Sequence, residues 1–327
     1  MKINKYILAV FLMFTTSNLF AEVSISYGEG QNKADYINNN KYPKIDDPMP
    51  TGPLSFRVVD DKIWVADSVG NKLMQFNKKG KFISEFSILP DGMKPYNIDE
   101  YNLPILNMLI DDFAPVRGDY GKIQAWWIAD SCKNKLYKFS VDGKKLAEIS
   151  NPEFGQLFRV EVGLGGHIFV ADKAARAIFT YDSEGKLLNR QVWEWSGMAV
   201  SGNDDVLYRL MYDNEAHKNV LVISTIDGKT VSGKLLDIDM FDPRLWWVDE
   251  SKGECVITYS PAEFKGFYNI VRVGLDGKVK ASGELPAPII MNRYIDHLDY
   301  DEVFIGKCNF FKAPEGKFEV IPFKLPE

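Results

Sequence analysis

Arginine stands near the start of four short apolar runs: Arg57 in "SFRVV", Arg159 in "LFRVEV", Arg244 in "DPRLWW" and Arg293 in "NRYIDH". Gathered at one place, four guanidiniums would form a positive focus in a chain of formal net charge −6. They would suit a carboxylate or phosphate, which the planar fork meets with paired hydrogen bonds. Acids cluster in two further stretches, "MLIDDF" with Asp111 and Asp112, and "YIDHLDY" with Asp296, His297 and Asp299. Asp111 or Asp112 would balance the arginines or complete a mixed polar site. Of the three histidines, only His297 lies beside carboxylates, where it would serve as a general base or hold a fixed structural hydrogen bond. His217 falls in the polar loop "YDNEAHKN", and "GLGGHIF" around His167 is a turn with no helix behind it. The chain contains no H-x-H, H-E-x-x-H or G-x-S-x-G pattern. Nothing in these patterns requires a cofactor or a metal.

A repeat must position these residues. A glycine followed by lysine recurs in "KKGK", "VDGK", "SEGK", "IDGK", "LDGK" and "PEGK", at Gly80, Gly143, Gly185, Gly228, Gly277 and Gly316. The spacings of 63, 42, 43, 49 and 39 residues define a unit of about 40 with longer loops inserted twice. Each glycine is read as the tight turn between two alternating strands, as in "LMQFN-KKG-KFISEF". The unit reads strand, turn, strand, polar loop, strand, glycine turn, strand. Its second strand keeps a bulky residue at one register: Trp64, Trp127, Phe169, Tyr208, Ile257 and Phe304. Six four-stranded antiparallel sheets of this kind pack radially into an all-β, six-bladed propeller.

The stretches at 63–81, 126–144 and 168–186, with their "VAD" or "IAD" cores and glycine turns, resemble the NHL-type six-bladed β-propeller superfamily. The resemblance covers roughly residues 50–325 and implies the fold far more than any activity. It also implies that Asp67, Asp130 and Asp172, at one register of the first three units, are architectural. Each ends a strand and can accept hydrogen bonds from the following amides.

On that fold the arginines begin the innermost strands, close to the channel mouth where such propellers bind ligands. Arg57 and Arg293 lie 23 residues before their glycines, Arg159 lies 26 and Arg244 lies 33. Either they and Asp111, Asp112 and His297 form a ligand site at the mouth, or each arginine pairs with an acid on a neighbouring blade. His167 is expected on the opposite face. Trp193 and Trp195 enter the fourth blade near the arginines, as wedges between blades or as stacking surfaces. Cys132, Cys255 and Cys308 are placed too far apart to form a disulfide.

The expected function is a binding or protein-interaction module that holds a small anionic ligand or a partner's acidic segment. The alternative is a metal-dependent hydrolase or lyase, resembling other six-bladed propellers, with acids and His297 converging on the channel. The acidic balance excludes a nucleic-acid surface. "MKINKYILAVFLMFTTSNLFA" has early lysines, an apolar run shorter than the roughly 20 residues of a membrane span, and a small final residue. It reads as a signal peptide cleaved after Ala21, which leaves an exported chain with no membrane span, periplasmic or secreted. Residues 22–50 supply a strand, "VSISYGE", and a polar lead-in. Residues 87–108 insert between the first two blades as a partial lid or a surface loop.

Overall fold

The computed structural model describes residues 21–43, 51–90, 92–201, 206–263, 266–287, 291–298 and 302–327. The leader and Asp299 lie outside the described residues. The alternating runs form six antiparallel sheets, the blades of a six-bladed β-propeller. From the hub outward, blade one is Ser55–Val59, Lys62–Asp67, Lys72–Asn77 and Phe82–Ser87. Blades two to five repeat this order, with innermost strands Ile110–Arg117, Leu157–Val162, Met198–Val200 and Phe241–Asp249. The innermost strand of blade six is Ile295–His297. Below, the upper face is the end where innermost strands begin and the lower face is where they finish.

Burial follows strand position. Lys62–Asp67 and Ile168–Asp172 are almost wholly buried, whereas the outermost strand Thr230–Leu235 is exposed throughout. Aromatic side chains of the second strands pack between neighbouring blades, and Trp64 lies 4.7 Å from Trp126, ring to ring. Such contacts hold each blade only to its neighbours, so the ring needs a closure.

The N-terminal strand supplies it. Val23–Tyr27 pairs antiparallel with Lys317–Phe323 as the fourth strand of blade six, Val23 facing Val320 and Ile25 facing Phe318. Val23, Ile25 and Tyr27 are buried, while Ser24 and Ser26 face outward. Lys33–Ala34 adds a short parallel strand outside it.

Five of the six repeated glycines stand where the sequence places them, between third and fourth strands, each with positive φ. A second constraint keeps them glycine. A Cβ on Gly80 would come within 2.3 Å of the Glu22 carbonyl oxygen, and one on Gly277 within 2.2 Å of that of Leu235. Each turn therefore abuts the outermost strand of the preceding blade. Gly316 is the exception: it lies between the second and third strands of blade six, because the N-terminal strand replaces the fourth and no glycine hairpin is needed there.

The insertion at 87–108 carries a two-stranded hairpin, Tyr96–Ile98 with Pro104–Leu106. Tyr96 donates to Glu29 at 3.4 Å, and the Lys41 ammonium lies 5.6 Å from the Tyr96 ring. These contacts tie the insertion to the lead-in at the rim of blade one.

Candidate functional site

Arg57, Arg159 and Arg293 do converge on the hub, at mid-channel, where they meet two carboxylates. Asp112 takes Arg293 in a two-pronged contact, Nε at 3.0 Å and Nη2 at 2.9 Å, and accepts from Arg57 at 3.3 Å and from the Val160 amide at 3.2 Å. Glu161 accepts from Arg57 at 2.8 Å, from Arg159 at 3.0 Å and from Arg293. Arg57 also donates to the carbonyls of Phe113 and Val160, and Arg159 to that of Leu245 at 3.2 Å while lying over Trp246. Blades one, two, three, five and six are thus tied by one ionic knot. Burial disfavours the Glu161 carboxylate, but Arg293, Arg57 and Arg159 more than offset it and hold its pKa below the usual range. Burial and the Arg293 charge push Arg159 down to about 10.

Of the two arrangements the sequence left open, three of the four arginines adopt the second, pairing with acids in a closed network rather than forming an open anion site. Arg244 stands apart near the upper mouth, its charge 3.6 Å from Asp242 and 5.9 Å from the Tyr294 ring centre. Glu161, two residues after Arg159, escaped the sequence reading. Alternation in a strand puts both on one side, which is the signal that would have found it.

At the lower end the network borders a basin of about 210 Å³, lined by Arg57, Glu161, Arg293, Trp247, Asp296 and His297 among others. The cavity these arginines reach thus opens where innermost strands finish, not where they begin. His167, in the turn after Leu157–Val162, belongs to this same end. His297 stacks on Trp247 at 4.3 Å and 11°, with Nδ1 3.8 Å from Asp296. Asp296 accepts the Val58 amide at 2.7 Å. The acids do not converge on one centre: Asp111 faces the upper mouth, Asp112 is held by arginines, and Asp296 and His297 lie at the bottom. Among the described residues no group of three or more His, Cys, Asp or Glu is placed to hold a metal ion.

The upper mouth holds a residue that sequence reasoning missed. Lys173 follows Asp172, and its ammonium folds back over the Phe158 ring at 3.6 Å. Its backbone is fixed from both sides, the amide donating to Gln156 at 2.9 Å and the carbonyl accepting from the Trp195 indole at 2.9 Å. Burial and the nearby charge of Arg244 lower the Lys173 pKa, against the pull of Asp111 and Asp242. Asp111 accepts from Asn292 at 2.8 Å and from the Ser131 amide at 3.1 Å, and burial pushes its pKa up to about 7. Among the described residues, neither Lys173 nor Arg244 makes a side-chain hydrogen bond to a carboxylate. Trp193 is a buried wedge against Phe158, and Trp195 is half exposed beside Lys173.

The repeated aspartates bind amides. Asp67 accepts from Gly70 at 2.9 Å and Asp35 at 3.1 Å, Asp130 from Leu109 and Cys132, each at 2.9 Å, and Asp172 from Gly155, Gln156 and Ala175. Asp130 and Asp172 splice the loop after the second strand to the start of the blade, and Asp67 splices it to the N-terminal lead-in at Asp35. The three cysteines are free thiols.

Burial raises Asp67 and Asp111 to about 7 and Asp130 to about 6. The folded chain therefore holds protons that the unfolded chain releases above about pH 4, so stability falls as pH rises from there to about 7. Glu161 acts oppositely, its contribution being lost as pH falls below its unfolded value of about 4.3. Urea unfolding should show a maximum near pH 4 and a loss on the order of a few kcal/mol by about pH 8. A flat profile would show that these carboxyls are ionised throughout.

No family model and no curated protein matches the sequence. Similar solved structures share the fold at low identity. A streptogramin B lyase is 13% identical with a TM-score of 0.51, covering 92% of this chain and 97% of its own. The hydrazine synthase of Kuenenia stuttgartiensis is 12% identical with a TM-score of 0.51, covering 78% of this chain and 73% of its own. BBS1N, solved in complex with ARL6DN, is 12% identical with a TM-score of 0.51, covering 91% of this chain and 84% of its own. At such identities the likeness establishes the propeller and leaves activity to the site.

Proposed function

We propose that the protein is an exported recognition propeller whose ligand presents an anionic group, carboxylate or phosphate, to the upper mouth of the hub. One observation carries the reading. Lys173 brings its charge to that mouth with no carboxylate in hydrogen-bond contact among the described residues, and Arg244 with only the 3.6 Å ion pair to Asp242, whereas the hub arginines give donors to Asp112, Glu161 and backbone carbonyls. A protonated Asp111 would leave the pair still less compensated. The ligand is a small anion or the acidic segment of a partner protein, and BBS1N with ARL6DN is one similar propeller solved with a partner. Export is supported by the leader-like start, and cleavage after Ala21 would leave the closing strand, which begins at Val23, intact. The NHL-type stretches support a place in that superfamily.

Isothermal titration with sulfate tests the site, since its charge is constant across the range. Lys173→Met/Arg244→Met should weaken binding by about tenfold or more, the loss expected from charged hydrogen bonds. Arg117→Met, which breaks an exposed pair with Asp60 and a bond to the Gly121 carbonyl away from the upper mouth, should leave it unchanged. Binding should tighten as pH falls from about 8 to about 6 and Asp111 takes up its proton. Equal affinity in the double variant and the parent protein would refute the site.

A further inference from the structure

On the upper face, blades four and five part to leave a cleft of about 710 Å³. Its lining contains no lysine or arginine, but it includes His217, the carboxylates of Glu194, Asp239 and Asp242, the last shared with Arg244, and the rings of Tyr212, Phe241 and Tyr259. Glu194 is fixed by the Tyr212 amide, which donates to it at 2.7 Å. Phe241 is 74% exposed and Tyr212 44%. At the floor, Asn219 is only 5% exposed, and its Nδ2 donates to the Met240 carbonyl at 3.3 Å. That bond identifies the other amide atom, Oδ1, as an acceptor. Among the described residues Oδ1 accepts no hydrogen bond. Oδ1 is therefore open to the cleft, where a ligand N–H could meet it.

We infer that this cleft binds an alkylammonium group carried on an apolar stem, as in a free diamine. Acceptors for an ammonium are the carboxylates of Glu194 and Asp239, with Asp242 partly engaged by Arg244, and the Asn219 oxygen. The rings and the methionine-lined walls suit the stem, and ring faces attract a cation directly. A bare metal ion would gain nothing from those apolar walls, and an anion would meet only like charge. The inference does not rest on the anion site: the ligand differs in charge and the residues tested below belong to the cleft, although Asp242 lies between the two.

The test is isothermal titration at matched ionic strength with 1,4-diaminobutane and with N-acetyl-lysine amide. Asp239 and Tyr212 are both exposed, so their variants should fold. Asp239→Asn should weaken amine binding by about tenfold, through loss of a charged hydrogen bond. Tyr212→Ala should weaken it about threefold, through loss of a cation–π face. Tighter binding of the diamine assigns a free amine as the natural ligand, and tighter binding of the lysine amide assigns a partner's lysine; either supports the ammonium site. No heat with either compound, or affinities unchanged in both variants, overturns it.

Discussion

Asp112→Asn should lower the free energy of unfolding by about 3–5 kcal/mol, the cost of leaving buried charge uncompensated. Asp112 is fully buried and receives Arg293 on both oxygens, Arg57 on one and the Val160 amide on the same one. The amide keeps the volume of the carboxylate, so no cavity forms and the loss reports charge and hydrogen bonding. Glu161 would then be the one carboxylate hydrogen-bonded to the three guanidiniums, with Asp296 acting only through its charge. Because the knot joins five blades, the urea midpoint should fall for the whole ring rather than for blade two by itself. A change below about 1 kcal/mol, the scale of a surface pair, would mean that the arginines find solvent or other acceptors and that the knot is dispensable.

Ile25→Asp should be comparably damaging through a different mechanism. Ile25 is fully buried opposite Phe318 in the strand that closes the ring. An unpaired carboxylate there must be desolvated or the strand must detach, either costing several kcal/mol. For a domain of this size that corresponds to a drop in Tm on the order of 10 °C. Detachment would also expose Phe318 and Val320, so limited proteolysis should cut the N-terminal segment and blade six first. Ser24→Asp places the same charge one residue earlier, on the outward side of the strand, and should change little. Equal effects of the two would show that the strand does not hold the ring shut.

The contrast between Ile25 and Ser24 also shows which features the sequence makes legible. Alternation and glycine turns are local, so the blades could be read without coordinates, as could the aspartates that end the second strands. The arginines could be located because each sits on, or two residues before, a recognisable innermost strand. Their partners could not, since Asp112 and Arg293 meet from chain positions far apart and only the closed ring brings them together. Gly316 misled because a glycine–lysine pair has the same local appearance in any turn, while its place in blade six depends on a strand contributed by the opposite end of the chain. Lys173 was hidden for a similar reason. In sequence it is one loop residue after Asp172, and only the fold of its side chain over Phe158 brings it to the mouth. The stacking of His297 on Trp247 joins separate blades and has no sequence signature.

Anomalous scattering from crystals soaked in sodium bromide is the sharpest test of the anion site, because bromide settles where accessible cationic groups outweigh their acidic neighbours. The account predicts an ordered bromide in contact with Lys173 and Arg244 at the upper mouth, lost in the Lys173→Met/Arg244→Met protein. Bromide bound instead among Arg57, Arg159 and Arg293, with the upper mouth empty, would contradict it.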